Sequence, residues 1–238
     1  FFGKNWISLM ETIRGFILLV SHYKDNDAIL NILSKNGIYS YLGRGFYNLN
    51  SKNLILTESF IEGDFEIYKG KVGGYKIKAC EIINYFSNYS KSYKKSILFN
   101  LISELTLKTY DGISDFNALY NLTIFVFKGI NDTNIEFNYA ILFIGKYFNL
   151  LGIKPLFDFS ISYKYFNIDD GVLTNTFEKD KNIIELSNEE EKIFKDTFSN
   201  ENILNDIICE SCAINIFKIF GFFLESKTDL KLNSLELF

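Results

Sequence analysis

The chain has 238 residues, a hydrophobic fraction of 47% and a formal net charge of −4 at pH 7. This length and composition allow a substantial buried core and exclude wholesale disorder, and the negative charge excludes a strongly basic nucleic-acid coat. Lys, Asn, Ile, Phe and Tyr dominate the sequence. A/T-rich codons encode these residues, so we attribute their excess to genome bias.

Three sparse cysteines are too few for a disulfide scaffold and favour a reducing, cytoplasmic compartment. No segment reaches the roughly 20 uninterrupted apolar residues that a membrane-spanning helix needs. The only methionine is Met10. We therefore interpret residues 1–9 as an upstream extension and leave them out of the fold prediction.

Residues 10–86 have the pattern of a small closed β-barrel. Short β-branched and aromatic runs alternate with glycine-bearing turns, and Asn36-Gly37 between two apolar runs predicts a hairpin. The strand-like runs cover residues 13–20, 28–33, 38–46, 54–61, 65–68 and 75–79, and we predict five short strands from this stretch.

From residue 87 to residue 238 the hydrophobic period becomes helical, which predicts an α-helical domain and an α+β chain overall. Three helices are expected first: one over residues 97–110, one from an N-cap at Ser114 to Phe127, and one from Asn134 to Leu151 with Gly152 as its C-terminal stop.

The rest of this domain is predicted to contain a hairpin and two more helices. The hairpin lies near residues 160–176 and turns at Asp169-Asp170-Gly171. A capping box from Ser187 to Glu190 begins the fourth helix, and the fifth runs from about Asn202 to Leu224. The tail, residues 230–238, is apolar enough to dock on the body.

The sequence offers little to a catalytic mechanism, and we predict no enzymatic activity. His22 is the only histidine, and its place at the end of a predicted strand favours a surface-loop residue. Gly43-Arg44-Gly45 lacks the third glycine and the following helix of a dinucleotide-binding loop. The acidic pairs at residues 25–27 and 169–170 adjoin turns, where Asp side chains commonly bond the local backbone.

Cys209 and Cys212 have the Cys-x-x-Cys spacing of metal and redox sites. No second Cys-x-x-Cys or histidine pair completes a tetrahedral site. The pair is predicted to lie in the middle of a helix, away from a helix N-terminus that would lower a thiol pKa. We favour two buried helix-face cysteines, and a thiol redox or metal enzyme centred on them remains an alternative.

Nucleic-acid contact is the function that the residues favour. Residues 1–85 carry a charge of +2 and residues 86–238 a charge of −6. Cations hold the phosphate backbone, aromatic rings stack on unpaired bases, and small five-stranded barrels often bind oligonucleotides in this way. The predicted DNA-binding residues are Arg14, Lys24, Lys35, Tyr39, Arg44, Tyr47, Lys52, Lys91, Lys94 and Lys95.

The opposite interpretation remains open at this point: aromatic residues would line the core and lysines would only solvate the surface. If DNA does bind, the scarcity of arginine predicts binding without sequence specificity, because lysine supplies point charges and little bidentate base readout.

Short motifs stand in a definite order along the chain. They are Gly15-Phe16-Ile17-Leu18, Tyr23-Lys24-Asp25-Asn26-Asp27, the glycine-bearing stretch 37–45 with Ser51, Ser103-Glu104-Leu105, and residues 148–155, 166–171 and 232–235. Their order and spacing resemble those of the RecO family of bacterial recombination mediators over nearly the whole chain.

The resemblance implies an N-terminal OB-fold joined to a helical domain, without an active site. It implies binding and annealing of single- and double-stranded DNA, and help in loading recombinase onto protein-coated single strands. The implied partners are a RecR-like protein and the C-terminal tail of the single-stranded-DNA-binding protein, and the implied location is the cytoplasm, at the nucleoid. A protein-interaction adaptor with a purely structural barrel is the alternative.

Two departures from the family pattern bear on the site. Many members carry four zinc-binding cysteines beside the hairpin, whereas residues 156–159 and 173–176 contain none here. We therefore predict no metal and no cofactor. The basic residues that often follow the third strand are replaced by residues 46–50, so this loop is expected to bind DNA more weakly or to depend on stacking by Tyr47.

Overall fold

The computed structural model describes residues 10–70, 74–199 and 203–238. They form two compact units. The first contains the chain up to Ser87 together with Phe116–Ile124, and the second contains the rest. This division differs from the predicted one, because residues 116–124 cluster with the N-terminal unit. The predicted extension, residues 1–9, lies outside the described residues.

Five strands form the β-structure of the first unit. They pair around a closed barrel in the order β1-β2-β3-β5-β4, and all neighbours are antiparallel except β3 and β5, which pair in parallel over only two residues. The predicted five-stranded domain is confirmed, and its assignment to the OB-fold stays a prediction. The strands are β1 (Met10–Tyr23), β2 (Asp27–Ser34), β3 (Gly37–Gly43), β4 (Ile61–Lys69) and β5 (Tyr75–Tyr85).

The barrel core follows from the period-2 alternation of its strands. Ala28, Leu30 and Ile32 of β2 are fully buried and meet Ile17 and Phe65 from neighbouring strands. Each fully buried side chain of the size of leucine, isoleucine or phenylalanine contributes roughly 1.5–3 kcal/mol relative to its exposed state.

The predicted hairpin between β2 and β3 is present, with its turn one residue earlier than the Asn-Gly pair suggested. Lys35 and Asn36 form the turn, because Ser34 pairs with Gly37 in the ladder. The Ser34 hydroxyl donates to the Gly37 carbonyl (3.0 Å) and accepts from the Asn36 N–H (3.3 Å). Gly37 has a φ of 143°, which only glycine adopts readily.

The strand predicted over residues 54–61 is wrong. Leu54–Thr57 is a short 3₁₀ turn that buries Leu56, and β4 begins only at Ile61. The turn forms because Asn53 and Ser51 accept backbone hydrogen bonds from residues three positions later. The run has the composition of a strand, but its backbone cannot stay extended through Phe60, whose φ is positive (67°).

Beyond the barrel strands, the described residues form five α-helices and a small sheet. Three short strands pair in the order β7-β6-β8, and the third was not expected. The helices are α1 (Tyr93–Thr109), α2 (Phe116–Asp132), α3 (Glu136–Leu151), α4 (Asn188–Phe198) and α5 (Glu210–Thr228), and the strands are β6 (Tyr165–Asn167), β7 (Val172–Thr174) and β8 (Ile183–Glu185).

Two helix boundaries in the second unit follow their sequence signals, whereas α1 begins earlier and α2 ends later than predicted. Gly152 ends α3 in the left-handed conformation (φ 74°), and Ser187 and Glu190 form a full capping box at the start of α4. The tail docks as expected, because Glu104 of α1 accepts hydrogen bonds from Asn233 and Ser234. The core is built from phenylalanine rings in mutual contact: Phe148, Phe166, Phe194, Phe198, Phe220 and Phe223.

The start of the last helix differs from the prediction. Residues 203–208 are not helical, because Asn138 holds their backbone: its amide donates to the carbonyls of Ile203 (2.5 Å) and Asp206 (2.6 Å) and accepts from Ile208 (3.4 Å). Helix α5 therefore starts at Glu210, with Cys209 as its N-cap.

The prediction of two buried mid-helix cysteines is thus wrong. Cys209 is exposed and Cys212 is half-buried. Hydrogen bonds from the Cys212 thiol, the Ser211 hydroxyl and the Cys212 backbone N–H lower the pKa of the Cys209 thiol, whereas burial raises the pKa of Cys212 to about 12.

No helix in the described ranges has the length and hydropathy to cross a bilayer.

A buried carboxylate ties residues 116–124 into the first unit. Glu62 of β4 is 6% exposed. It accepts hydrogen bonds from the Tyr120 hydroxyl (2.6 Å) and from the Asn84 amide (2.6 Å). Burial and this hydrogen bond raise the pKa of Tyr120, so its hydroxyl stays protonated as the donor.

We expect Tyr120→Phe to lower the free energy of unfolding by about 1–3 kcal/mol, because one oxygen of Glu62 would stay buried without its donor. Urea denaturation measures this loss. Tyr75→Phe, which removes the hydroxyl of an exposed tyrosine in the same unit, is the matched control and should cost little. Equal losses in the two variants would contradict the role of the Glu62–Tyr120 pair.

Candidate nucleic-acid interface

The chain between β3 and the 3₁₀ turn, residues 44–53, forms a loop at one end of the barrel, which we call the barrel-end loop. Phe46 anchors it, because its ring is buried in the barrel core and lies so close to Gly43 that a Cβ there would overlap it. The backbone N–H of Gly45 donates to Asp27 (2.8 Å), and that of Tyr47 donates to the Asn26 carbonyl (3.0 Å). The loop is therefore fixed to the β1–β2 turn.

An open concavity of about 730 Å³ lies between this loop and the turn. Its surface is rich in amide, guanidinium and hydroxyl groups. The lining residues are Asn26, Arg44, Gly45, Tyr47, Asn48, Leu49, Asn50 and Ser51.

Arg44 and Tyr47 give the concavity its chemistry. Arg44 is exposed, and Tyr47 is half-buried with its ring centroid 4.6 Å from that of His22. Leu49 projects from the rim and is 89% exposed. A guanidinium, an aromatic ring and an exposed apolar side chain around one concavity can together hold a phosphate and stack a base.

Two further predicted cations lie at the same end of the barrel. Lys52 follows the lining residue Ser51, and Lys24 lies in the β1–β2 turn with a φ of 51°. Within the part of the chain that the structure describes, neither lysine nor Arg44 has an ion-pair partner. Their charges are therefore available to an anionic ligand.

Arg14, in contrast, is already neutralised. Its guanidinium makes a bidentate pair with Asp64 on the neighbouring strand, at 2.5 Å and 2.9 Å. The hydrogen bonds from Arg14 hold the pKa of the Asp64 carboxyl below its ordinary value and raise that of Arg14. A phosphate would have to compete with this carboxylate.

Lys35 and Tyr39 lie at the other end of the β2–β3 ladder from the concavity. Lys35 is in the hairpin turn, with its Nζ 6.0 Å from the Tyr120 ring centroid. Tyr39 is 51% exposed and donates its hydroxyl to the Asn36 carbonyl (3.1 Å). Strand β3 separates the two ends by about 20 Å at the usual rise per residue.

The three predicted lysines of the second unit are engaged in local contacts. Lys91 donates to the Asn88 side chain (3.3 Å), and Lys94 pairs with Glu210. Lys95 donates to the Asn131 and Thr133 carbonyls at the end of α2, both at 2.9 Å. Lys95 thus satisfies free carbonyl groups at a helix C-terminus.

The sequence reasoning missed the polar residues that complete the concavity. Asn26, Asn48 and Asn50 line it with Arg44, and His22 supports Tyr47. Asparagine is abundant throughout the chain, so its presence in this loop carried no signal. The available signal was the position of Arg44 near the end of a predicted strand and of Tyr47 directly after it.

Other groups considered from the sequence have local structural roles. Asp27 binds the Gly45 N–H, and Asp169 binds both the backbone and the side chain of Asn182. The hairpin positions where many family members carry cysteines offer no thiol or imidazole, so they do not fit a zinc ion. A different group, Glu189, Cys209 and Cys212, brings three metal-binding side chains together in the second unit.

The comparisons with known proteins agree on one family. The family described as Recombination protein O N terminal matches residues 9–86. The DNA repair protein RecO of Mycoplasma capricolum subsp. capricolum is 29% identical over 104 residues, 42% of this chain and 42% of that protein. The protein of the same name from Mesoplasma florum is 30% identical over 99 residues, 40% of this chain and 37% of that protein.

The first unit therefore defines a small β-barrel domain with an open, cationic and aromatic loop at one end, in a chain that continues into helices. Over residues 9–86 the chain matches the N-terminal domain of the RecO family, and the family resemblance read from the sequence is confirmed for this domain. The matched stretch spans only about two fifths of the length of the curated relatives.

The Arg14–Asp64 pair predicts a particular titration. We expect the Asp64 carboxyl to titrate below the ordinary aspartate range, and Arg14→Gln to return it toward that range. Because the folded-state pKa is the lower one, the pair stabilises the fold above the unfolded-state pKa. That contribution is lost as the pH falls through the folded-state pKa.

Carboxyl ¹³C NMR measures this titration residue by residue. Lys78→Gln is the control. Lys78 pairs with Glu66 (3.4 Å), so this substitution removes a cation from the same unit and leaves the Arg14–Asp64 pair intact. A titration of Asp64 that does not respond to Arg14→Gln would contradict the assignment.

Proposed function

We propose that this chain is a non-enzymatic DNA repair and recombination mediator whose barrel, an OB-fold, binds single-stranded DNA at the barrel-end loop. The observation that carries the proposal is the concavity lined by Arg44 and Tyr47 in a domain of the RecO family. Lys24 and Lys52 lie in the chain segments that flank its lining residues. The relatives carry the name DNA repair protein, which supports the same role here.

The chemistry of the concavity suits a single strand. Phosphate groups would lie along Lys24, Arg44 and Lys52, and one unpaired base would stack on the Tyr47 ring. The asparagine amides add hydrogen bonds that every base or sugar can accept or donate. Binding of this kind has little sequence preference, which suits a protein that acts wherever DNA is damaged.

The wider activity follows from the same proposal. Binding of two strands would promote annealing, and binding of coated single strands would assist recombinase loading together with a RecR-like protein and the tail of the single-stranded-DNA-binding protein. Among the ten predicted residues, we place the four at the concavity first. Arg14, Lys94 and Lys95 rank lower, because their charged groups already have protein partners.

We expect Arg44→Ala and Lys24→Ala to weaken single-stranded DNA binding, and each to reduce the log–log salt slope by about 0.7 for one lost phosphate contact. Fluorescence anisotropy with labelled oligonucleotides at several salt concentrations measures both quantities. Arg14→Ala should have a smaller effect, since Asp64 neutralises that guanidinium. Lys192→Ala is the charge-matched control, because Lys192 pairs with Asp206 (3.0 Å) and lies in the other unit.

An unchanged affinity and slope in both barrel variants would contradict DNA binding at this face. If the chain then still bound a RecR-like protein or the binding-protein tail without DNA, the adaptor function would replace the proposal. The internal hydrogen bonds of Lys94 and Lys95 and the −6 charge of residues 86–238 favour that second function.

Substitutions at Tyr47 test whether a DNA base stacks on its ring. We expect Tyr47→Leu to weaken single-stranded DNA binding by about 1–3 kcal/mol, the usual contribution of one stacked base, while the salt slope stays unchanged. Tyr47→Phe keeps the ring and should bind almost normally. Equal affinities of the leucine variant and the wild type would show that no base stacks on this ring.

A further inference from the structure

Three side chains with metal-binding groups converge in the second unit, away from the barrel-end loop in the sequence. Glu189 lies in the first turn of α4, Cys209 is the N-cap of α5, and Cys212 lies in the first turn of that helix. One carboxylate oxygen and both sulfur atoms lie within 4.8 Å of one another. None of the three contributes to the proposed DNA-binding site.

The surrounding structure holds the two helix starts together. The capping box fixes the first turn of α4, and its Glu190 accepts a hydrogen bond from Asn215 of α5 (2.7 Å). The preceding loop is fixed by Asn138, whose amide bonds the backbone of residues 203–208. Hydrogen bonds between protein groups therefore hold the two helix starts that carry the ligand atoms.

The donor set has a definite chemical preference. Two thiolates and one carboxylate suit Zn²⁺, which accepts sulfur and oxygen ligands in tetrahedral geometry. With a Zn–S bond of about 2.3 Å, two sulfurs on one tetrahedral ion lie about 3.8 Å apart, so separations within 4.8 Å need only small side-chain movements. The Cys212 N–H donates to Cys209 Sγ (3.2 Å), an outer hydrogen bond of the kind that orients metal ligands.

We propose that Glu189, Cys209 and Cys212 form a zinc site with three protein ligands and a solvent molecule in the fourth position. Both thiol protons pass to the solvent when the ion binds. The site lies apart from the hairpin positions and revises the prediction of no metal that the sequence supported. By joining the starts of α4 and α5, the ion would stabilise the second unit.

Cobalt(II) is the probe that tests the site, because it substitutes for zinc and reports thiolate ligands by absorption. The full-length chain, purified with reduced thiols, is titrated with Co²⁺, and zinc is then added as competitor. We expect a thiolate-to-cobalt charge-transfer band at one equivalent, its loss on zinc addition, and a higher melting temperature of the zinc-bound chain.

Variants separate the ligands from their surroundings. Cys209→Ser and Cys212→Ser should lose the band, and serine at position 209 keeps an N-cap, so the fold is retained. Glu189→Gln should weaken cobalt binding roughly tenfold or more, as loss of a coordinating group requires. Glu210→Gln, which removes the same charge between the two cysteines, and Cys80→Ser, in the other unit, should leave the titration unchanged.

Several results would overturn the proposal. One is the absence of a charge-transfer band and of bound zinc in a chain whose thiols are intact. Another is a Cys209–Cys212 disulfide that forms spontaneously in the native chain and excludes cobalt. A Glu189→Gln variant with the cobalt affinity of the wild type would remove the third ligand and, with it, the site as proposed.

Discussion

The closure of the barrel constrains everything else in the first unit. Strands β3 and β5 are parallel neighbours that share only two paired positions, and β4 must lie between β5 and β1. The chain after β3 therefore has to cross the end of the barrel before it can return as β4. Phe46 and Leu56 fill that end with buried side chains, and the polar residues between them are left at the surface. The concavity is a consequence of this crossing.

The sequence predicts elements whose signal is local and misses those that distant residues decide. The capping box at the start of α4 and the glycine stop at Gly152 depend only on residues close in sequence, and so does the alternation in the barrel strands. The structure contains all three features. The false strand at residues 54–61 and the false helix start near residue 202 have strand-like and helix-like compositions. Asn138, more than sixty residues away, decides the second case by bonding that backbone.

The candidate sites show the same limit. Arg44 and Tyr47 were visible in the sequence because they lie close to the end of a predicted strand. Nothing local indicated that Arg14 would pair with Asp64, fifty residues later. The Cys-x-x-Cys spacing was equally visible, and no local feature linked it to Glu189. The spacing of two cysteines indicates candidate ligands within one stretch of sequence. A third candidate ligand from a different helix becomes visible only when α4 is seen to pack against α5.

The scarcity of arginine makes its distribution informative. The chain has two, Arg14 and Arg44, and the first is held by a bidentate carboxylate. The second lines the concavity, which the half-buried Tyr47 also lines. Lys24 and Lys52, in the flanking segments, have no ion-pair partners among the described residues. A guanidinium is weakly hydrated and stacks on rings, so it can bind a phosphate and a base plane together, whereas lysine supplies charge alone. Binding of single-stranded DNA would thus centre on Arg44, and the lysines would extend the contact along the DNA backbone. With Arg14 held by Asp64, no second guanidinium would be free to read base edges.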